Sequence, residues 1–120
     1  MDAFALNEIA KRWFEEFNNQ DIEKLLALYH DQATHFSPKL KLRHPESNGL
    51  IIGKEAMRWW WQDSFKRLPS LKYEIVRLTL CDDRVFMEYI RHVNNEVDLY
   101  VGEMLEMHEG RIIKSSVFHQ

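Results

Sequence analysis

Two imidazoles and one carboxyl stand where a folded chain could use them to move a proton: His35, His119 and Glu103. Imidazole titrates near neutrality unaided, and a carboxyl set among apolar neighbours tends to keep its proton, because desolvation disfavours the anion. Glu103 has such neighbours in Val101, Leu105 and Met107. The chemistry open to the set is general acid–base catalysis, with His119 or His35 as base and Glu103 as hydrogen-bonding acid. Other chemistries find less in the sequence. His30 and His35 are five apart, with neither a helical HExxH nor paired cysteines, so no metal site is expected. Cys81 lies beside Asp82 and Asp83, whose charges raise a thiol pKa and disfavour a nucleophilic role. The four glycines are scattered and form no phosphate-cradling loop; no cofactor is expected.

Three helices and a run of strands must position these groups. Leu6, Ile9, Ala10, Trp13 and Phe17 fall on one stripe of a first helix, which Asn18, Asn19 and Gln20 end. Asp21 is a suitable N-cap for a second helix reaching about His30, with Ile22, Leu25, Leu26 and Tyr29 on its apolar face. A short strand from Ala33 to Ser37 follows, closed by Pro38, and alternation puts His35 and Ser37 on one face. A third helix runs from Lys54 to about Leu68, between Gly53 and Pro69. Its Met57, Trp60, Trp61, Ser64, Phe65 and Leu68 face the sheet, while Trp59 lies off the stripe. Between strand and helix, Lys39 to Ile52 reads as a long loop with extended pairing around Leu40 and Leu42. Its Lys39, Lys41 and Arg43 follow the pocket strand directly, where a focused positive field favours a ligand carrying a carboxylate or phenolate.

From Leu71 the pattern becomes extended: Leu71 to Leu80, Arg84 to Val93, Val97 to Met107 and Arg111 to His119, separated by Asp82-Asp83, Asn94-Asn95 and Glu109-Gly110 turns. Helices first and an antiparallel meander afterwards indicate an α+β domain. A three-residue loop His108-Glu109-Gly110 would set Glu103 opposite Ser115 and Val101 opposite Val117. That gathers Val101, Glu103, Leu105, Met107, Ile113, Ser115, Val117 and His119 on the face toward the helices; a two-residue loop would turn His119 outward. The facing of Arg84 to Val93 stays open, since both of its faces carry apolar residues. Such two-sided strands imply a covered outer face, and a homodimer through Met104, Ile112 and Phe118 is expected.

Composition narrows the classes. The 120 residues, 45% hydrophobic, suit one domain spanning 1–120. A net charge of −3 with dispersed Lys and Arg gives no footprint for nucleic acid, and no apolar run is long enough for a membrane span. A lone cysteine and no charged-then-apolar leader point to a cytoplasmic protein.

The succession of elements, with the stretches QDIEKLLALYHDQATHFSP, GKEAMRWWW and GEMLEMHEGRI, resembles the SnoaL-like branch of the NTF2-like superfamily. The resemblance implies a cystatin-like cone, three N-terminal helices packed on a curved, mostly antiparallel sheet. It also implies a function among isomerases, cyclases, dehydratases and non-catalytic binding domains. Ketosteroid-isomerase relatives use a tyrosine on the first helix, an aspartate base at the end of the first strand and a protonated acid on the sheet. The matching positions here hold Trp13 and Ser37, which cannot fill the first two roles, and Glu103, which matches the third when the Glu109-Gly110 turn is counted as shorter. Three readings follow. The first is a binding domain for a small apolar or aromatic, in one form anionic, molecule. Its pocket is walled by Trp13, Phe17, Trp60, Trp61, Val101 and Val117, with Ser37, Ser115, Glu103 and His119 as polar points. The second is a proton-transfer enzyme, and the third an interaction subunit whose tryptophans fill its own cavity.

Overall fold

The computed structural model describes the backbone of residues 1–119 and the side chains of residues 1–118. Helix α1 (Ala3–Asn18) starts where the Asp2 carboxylate accepts from the Ala5 amide, and α2 (Ile22–Leu26) where Asp21 does the same for Lys24. Strand β1 (Tyr29–Phe36) leads into α3 (Pro38–Arg43), a 3₁₀ turn at Pro45–Ser47 and β2 (Leu50–Ile52). Helix α4 (Lys54–Arg67) follows, and then β3 (Lys72–Cys81), β4 (Arg84–His92), β5 (Leu99–His108) and β6 (Arg111–His119). The six strands form one sheet in the order β2-β1-β6-β5-β4-β3, antiparallel except where β1 runs parallel to β6. The helices lie against one face of this sheet, and the α+β, cystatin-like architecture is the one expected. The core between the layers is built from Leu6, Ala10, Trp13 and Phe17 of α1, Met57, Trp61 and Phe65 of α4, and Val85, Met87, Tyr89 and Leu105 of the sheet.

Three local expectations are corrected. The second helix ends at Leu26, so Tyr29 opens β1 instead of closing a helical stripe, and its ring is fully buried. The segment after Ser37 is a helix: Pro38 sits at its first turn, where a missing N–H costs nothing and the fixed φ favours a start. Leu40 is therefore buried and Leu42 exposed on opposite sides of a helix, not paired in a strand. In the last hairpin the turn has two residues, Glu109 and Gly110, both with positive φ as a type I′ turn requires. A bulge then shifts the register between Glu106 and Met107, so Glu103 stands opposite Val117 and Leu105 opposite Ser115. Ile112, placed outside by the sequence pattern, is buried, and Ile113 is only partly so. Beyond the bulge the alternation is restored, which keeps Ser115 and Val117 on the inner face despite the shorter turn.

The facing of β4 is also settled. Val85, Met87, Tyr89 and Arg91 point inward and are buried; Phe86, Glu88, Ile90 and His92 lie on the outer face. The end of α1 is tied to the free edge of the sheet by one side chain. The Asn18 amide accepts from the Tyr73 N–H at 2.8 Å and donates to the Tyr73 carbonyl at 2.9 Å, acting as one more strand residue. That pair of hydrogen bonds fixes Tyr73 beneath Phe17, whose ring it stacks on at 4.0 Å between centroids.

Candidate functional site

Strand register arranges the inward side chains in rungs that cross the sheet. The innermost rung holds His35, Ser115, Leu105 and Val85; the next holds Val117, Glu103 and Met87, with Ser37 following at the end of β1. Then come Val101 and Tyr89, and last Leu99, Arg91 and Tyr73. Over this floor α1 contributes Trp13 and Phe17, α4 contributes Trp60, Trp61, Ser64 and Arg67, and α3 lays Lys39, Leu42 and Arg43 across the rim. Between them is a cavity of about 270 Å³. It is bounded by His35, Ser37, Trp13, Phe17, Trp60, Trp61, Val101, Glu103 and Val117 among the residues singled out from sequence. Ser115 lies just behind this surface, bonded to His35. His119 stands opposite Val101 in the backbone register, and its side chain lies outside the described residues. Lys41, on the other side of α3 from Lys39 and Arg43, is exposed and does not border the cavity.

Two hydrogen-bond systems set the polarity of the floor. In the first, the Trp13 indole donates to the Tyr29 hydroxyl at 3.0 Å, Tyr29 donates to Ser115 Oγ at 3.3 Å, and Ser115 Oγ lies 2.6 Å from His35 Nδ1. Indole can only donate, so the direction of the chain is fixed from that end. The Tyr29 proton goes to Ser115, and the Ser115 proton is satisfied when it goes to Nδ1. His35 then carries its own proton on Nε2, a nitrogen with no bonding partner among the described residues. Burial holds the imidazole neutral by pushing its pKa down to about 4. In the tautomer that accepts the Ser115 proton at Nδ1, the neutral His35 presents an Nε2–H donor to the cavity.

In the second system the Tyr89 hydroxyl donates to Glu103 Oε1 at 2.7 Å. Glu103 is 1% exposed, and its Oε2 has no partner among the described residues. Burial raises its pKa to about 7, and the Tyr89 bond, which favours the anion, offsets only part of that. Both protonation states of Glu103 are therefore populated near neutrality. The Tyr89 and Tyr73 hydroxyls are pushed the other way from usefulness as acids, upward, by burial first and by the Glu103 charge second. Their rings stack at 4.1 Å and continue the aromatic wall of Trp13 and Phe17.

Sequence reasoning missed Tyr29, Tyr73, Tyr89, Arg91 and Glu96. For Tyr89 and Arg91 the signal was present in the alternation Val85, Met87, Tyr89, Arg91, and a fixed register for β4 would have exposed it. Glu96, in the turn between β4 and β5, bonds Arg91 Nη1 at 2.9 Å, and no periodicity announces it.

Helices packed on one face of a curved sheet, around an aromatic cavity, make a small α+β fold like that of solved cystatin-like and NTF2-like proteins. Residues 10–115 match the SnoaL-like domain family, and the chain belongs to it. Its fold is similar to that of a SnoaL-like protein of unknown function from Burkholderia thailandensis, at 19% identity and a TM-score of 0.89 over 99% of this chain and 97% of that one. TerC, co-crystallised with polyporic acid, aligns at 16% identity and a TM-score of 0.84 over 97% and 92% of the two chains. A protein from Sinorhizobium meliloti provisionally designated a polyketide cyclase aligns at 15% identity and a TM-score of 0.79 over 92% and 94%. Among curated proteins none matches the chain.

Proposed function

We propose that the protein binds a small, flat, largely apolar molecule in the cavity above the sheet. The carrying observation is that about 270 Å³ stays open between Trp13, Phe17, Trp60 and Trp61, so the tryptophans wall the space without filling it. Apolar walls with a few convergent polar groups are the usual make-up of a small-molecule site. The polar groups are the Ser37 hydroxyl, the His35 Nε2–H and the Glu103 carboxyl. TerC, which shares the fold, was co-crystallised with polyporic acid, which is in keeping with this reading.

The indole N–H resonances test it with an internal control. Trp13, Trp60 and Trp61 border the cavity, whereas Trp59 is 49% exposed on the far side of α4. Titration with 2-naphthol should shift Trp60 and Trp61 and leave Trp59 in place. Shifts at Trp59 alone, or none at all at millimolar ligand, would remove the proposal.

A second reading, proton-transfer catalysis, is favoured by one specific feature: Glu103 borders the cavity with an unpartnered oxygen among the described residues and a pKa raised by burial to about 7. A base of that pKa can take an α-proton from an enolisable ketone and return it to the carbanion, while His35 Nε2–H steadies the enolate oxygen. The measurable form is hydrogen–deuterium exchange into 2-tetralone. The native protein should accelerate it, and Glu103→Gln should lower that acceleration by roughly two to four orders of magnitude. Exchange equal in the two proteins would exclude Glu103 as the proton carrier.

A further inference from the structure

The rim of the cavity carries a buried cation that no step above uses. Arg91 is 5% exposed, on the inward row of β4, with Tyr73 as its direct neighbour on β3. Its only described partner is Glu96, through one Nη1–H bond. Guanidinium has five donors, and its remaining ones meet no acceptor among the described residues. They are not sealed off either, since the fully enclosed unpartnered side-chain atoms are Glu16 Oε2 and Glu103 Oε2 alone among those residues.

We propose that Arg91 receives a carboxylate on the ligand, and that Glu96 is a displaceable counter-ion which holds the guanidinium until that carboxylate replaces it. The inference rests on the small-molecule reading and names the class of molecule: a planar aromatic acid. Four observations lead there. The Glu96 carboxylate sits on a turn with its side chain 45% exposed, and ion pairs with one partner so open to water contribute about 0–1 kcal/mol, so exchange is cheap. Guanidinium and carboxylate match in a two-pronged geometry that a single Nη1 bond does not use. The charge at the rim is unbalanced: Lys39, Arg43 and Arg91 face one carboxylate, Glu96, while Arg67 is already tied to Asp63 at 2.9 Å. The Lys39 pKa is lowered by desolvation and then by Arg91, and Glu96 opposes this, so Lys39 also gains from a second anion.

Register supplies the length of the molecule. Arg91 pairs with Leu99, and Glu103 pairs with Met87, four residues further along β4. Four residues of strand span about 13 Å along the sheet. A bicyclic acid reaches from one to the other; a single ring does not. Its carboxylate lies at Arg91, its rings against Tyr73, Tyr89 and Trp13, and its far end at Glu103.

Calorimetric titration of 2-naphthoate and its neutral methyl ester decides the matter. The acid should bind about tenfold or more tightly than the ester at low salt, with the difference shrinking as salt rises. Arg91→Gln should abolish the preference. Glu96→Gln, a change on an exposed turn that leaves the fold intact, should strengthen acid binding several-fold and leave the ester unaffected. Equal binding of acid and ester by the native protein would overturn the Arg91 site while leaving the cavity reading standing. So would a preference that survives Arg91→Gln, or a loss of acid affinity in Glu96→Gln. Failure of both compounds to bind would overturn both.

Discussion

His35 and Glu103 face the same cavity and are displaced in opposite directions by the same cause. Burial lowers the imidazole from 6.5 to about 4 and raises the carboxyl from 4.5 to about 7. Each shift favours the neutral form in the folded chain, and the signs follow. His35 contributes stability that is full above pH 6.5 and is lost as the pH falls through 4. Glu103 contributes stability that is full below pH 4.5 and is lost as the pH rises through 7. Each swing is worth roughly 3 kcal/mol at its full extent, and between pH 4.5 and 6.5 the two slopes cancel. Glu103→Gln removes one of them. Its stability by urea unfolding should therefore climb by roughly 3 kcal/mol relative to the native protein between pH 4.5 and 8. A constant difference across that range would mean that Glu103 is not held protonated by burial.

At the scale of elements, the rim depends on how β1 and β2 hand over to α3. Gly49 has φ +85°, accepts from the Ser37 N–H at 2.9 Å, and lies so close that an added Cβ would come within 2.7 Å of the Phe36 ring and 3.1 Å of the Ser37 carbonyl. Gly53, at φ +88°, has open space where its Cβ would go. Gly49→Ala should cost about 1–2 kcal/mol for the backbone alone, plus a contact term that Gly53→Ala lacks. A loss in Gly49→Ala of no more than about 2 kcal/mol, measured by the denaturant midpoint, would show that Phe36 yields freely and does not brace the rim.

The same handover shows what could be read from residues alone. The stripes of α1 and α4, the Asp21 cap and the facing of His35 and Ser37 rest on local periodicity, and they were legible. The helix over Pro38–Arg43 was not, because six residues carry too short a pattern and the proline reads equally as an end and a beginning. The inner position of Glu103 was legible from alternation, yet its partner was off by two, because the bulge near Met107 leaves no mark in a single sequence. Arg91 and Glu96 were hidden for a different reason. Their meaning comes from register between strands and from a turn, both of which are tertiary.

For the molecule as a whole, the outer face of the sheet is what lacks an explanation within one chain. No helix among the described residues is long and apolar enough to cross a membrane. Around Gly102, whose missing Cβ makes room for the Phe86 ring, lie Ile90, Tyr100, Met104 and Phe118, with Tyr100 52% and Phe118 53% exposed. Ile112 does not belong to this group, since it turns inward. The flanking charges are paired on the surface, Arg84 with Glu106 at 3.5 Å and His92 with both Glu74 at 2.8 Å and Asp98 at 3.0 Å. An apolar centre ringed by satisfied polar groups suits a two-fold contact in which a second copy of the chain lays its own Phe118 over Gly102. The expected outcome is a dimer at micromolar concentration by sedimentation equilibrium, and a monomer for Phe118→Asp, which sets a charge at the centre of the patch. His92 adds a pH sign: its pKa is raised by the bond to Glu74 first and to Asp98 second, so the support it lends this rim is present below pH 6.5 and is lost as the pH rises through its folded value. Folding stability should accordingly fall less between pH 6 and pH 9 in His92→Gln than in the native protein. A native protein that sediments as a monomer, or a Phe118→Asp variant that stays dimeric, would place the assembly elsewhere.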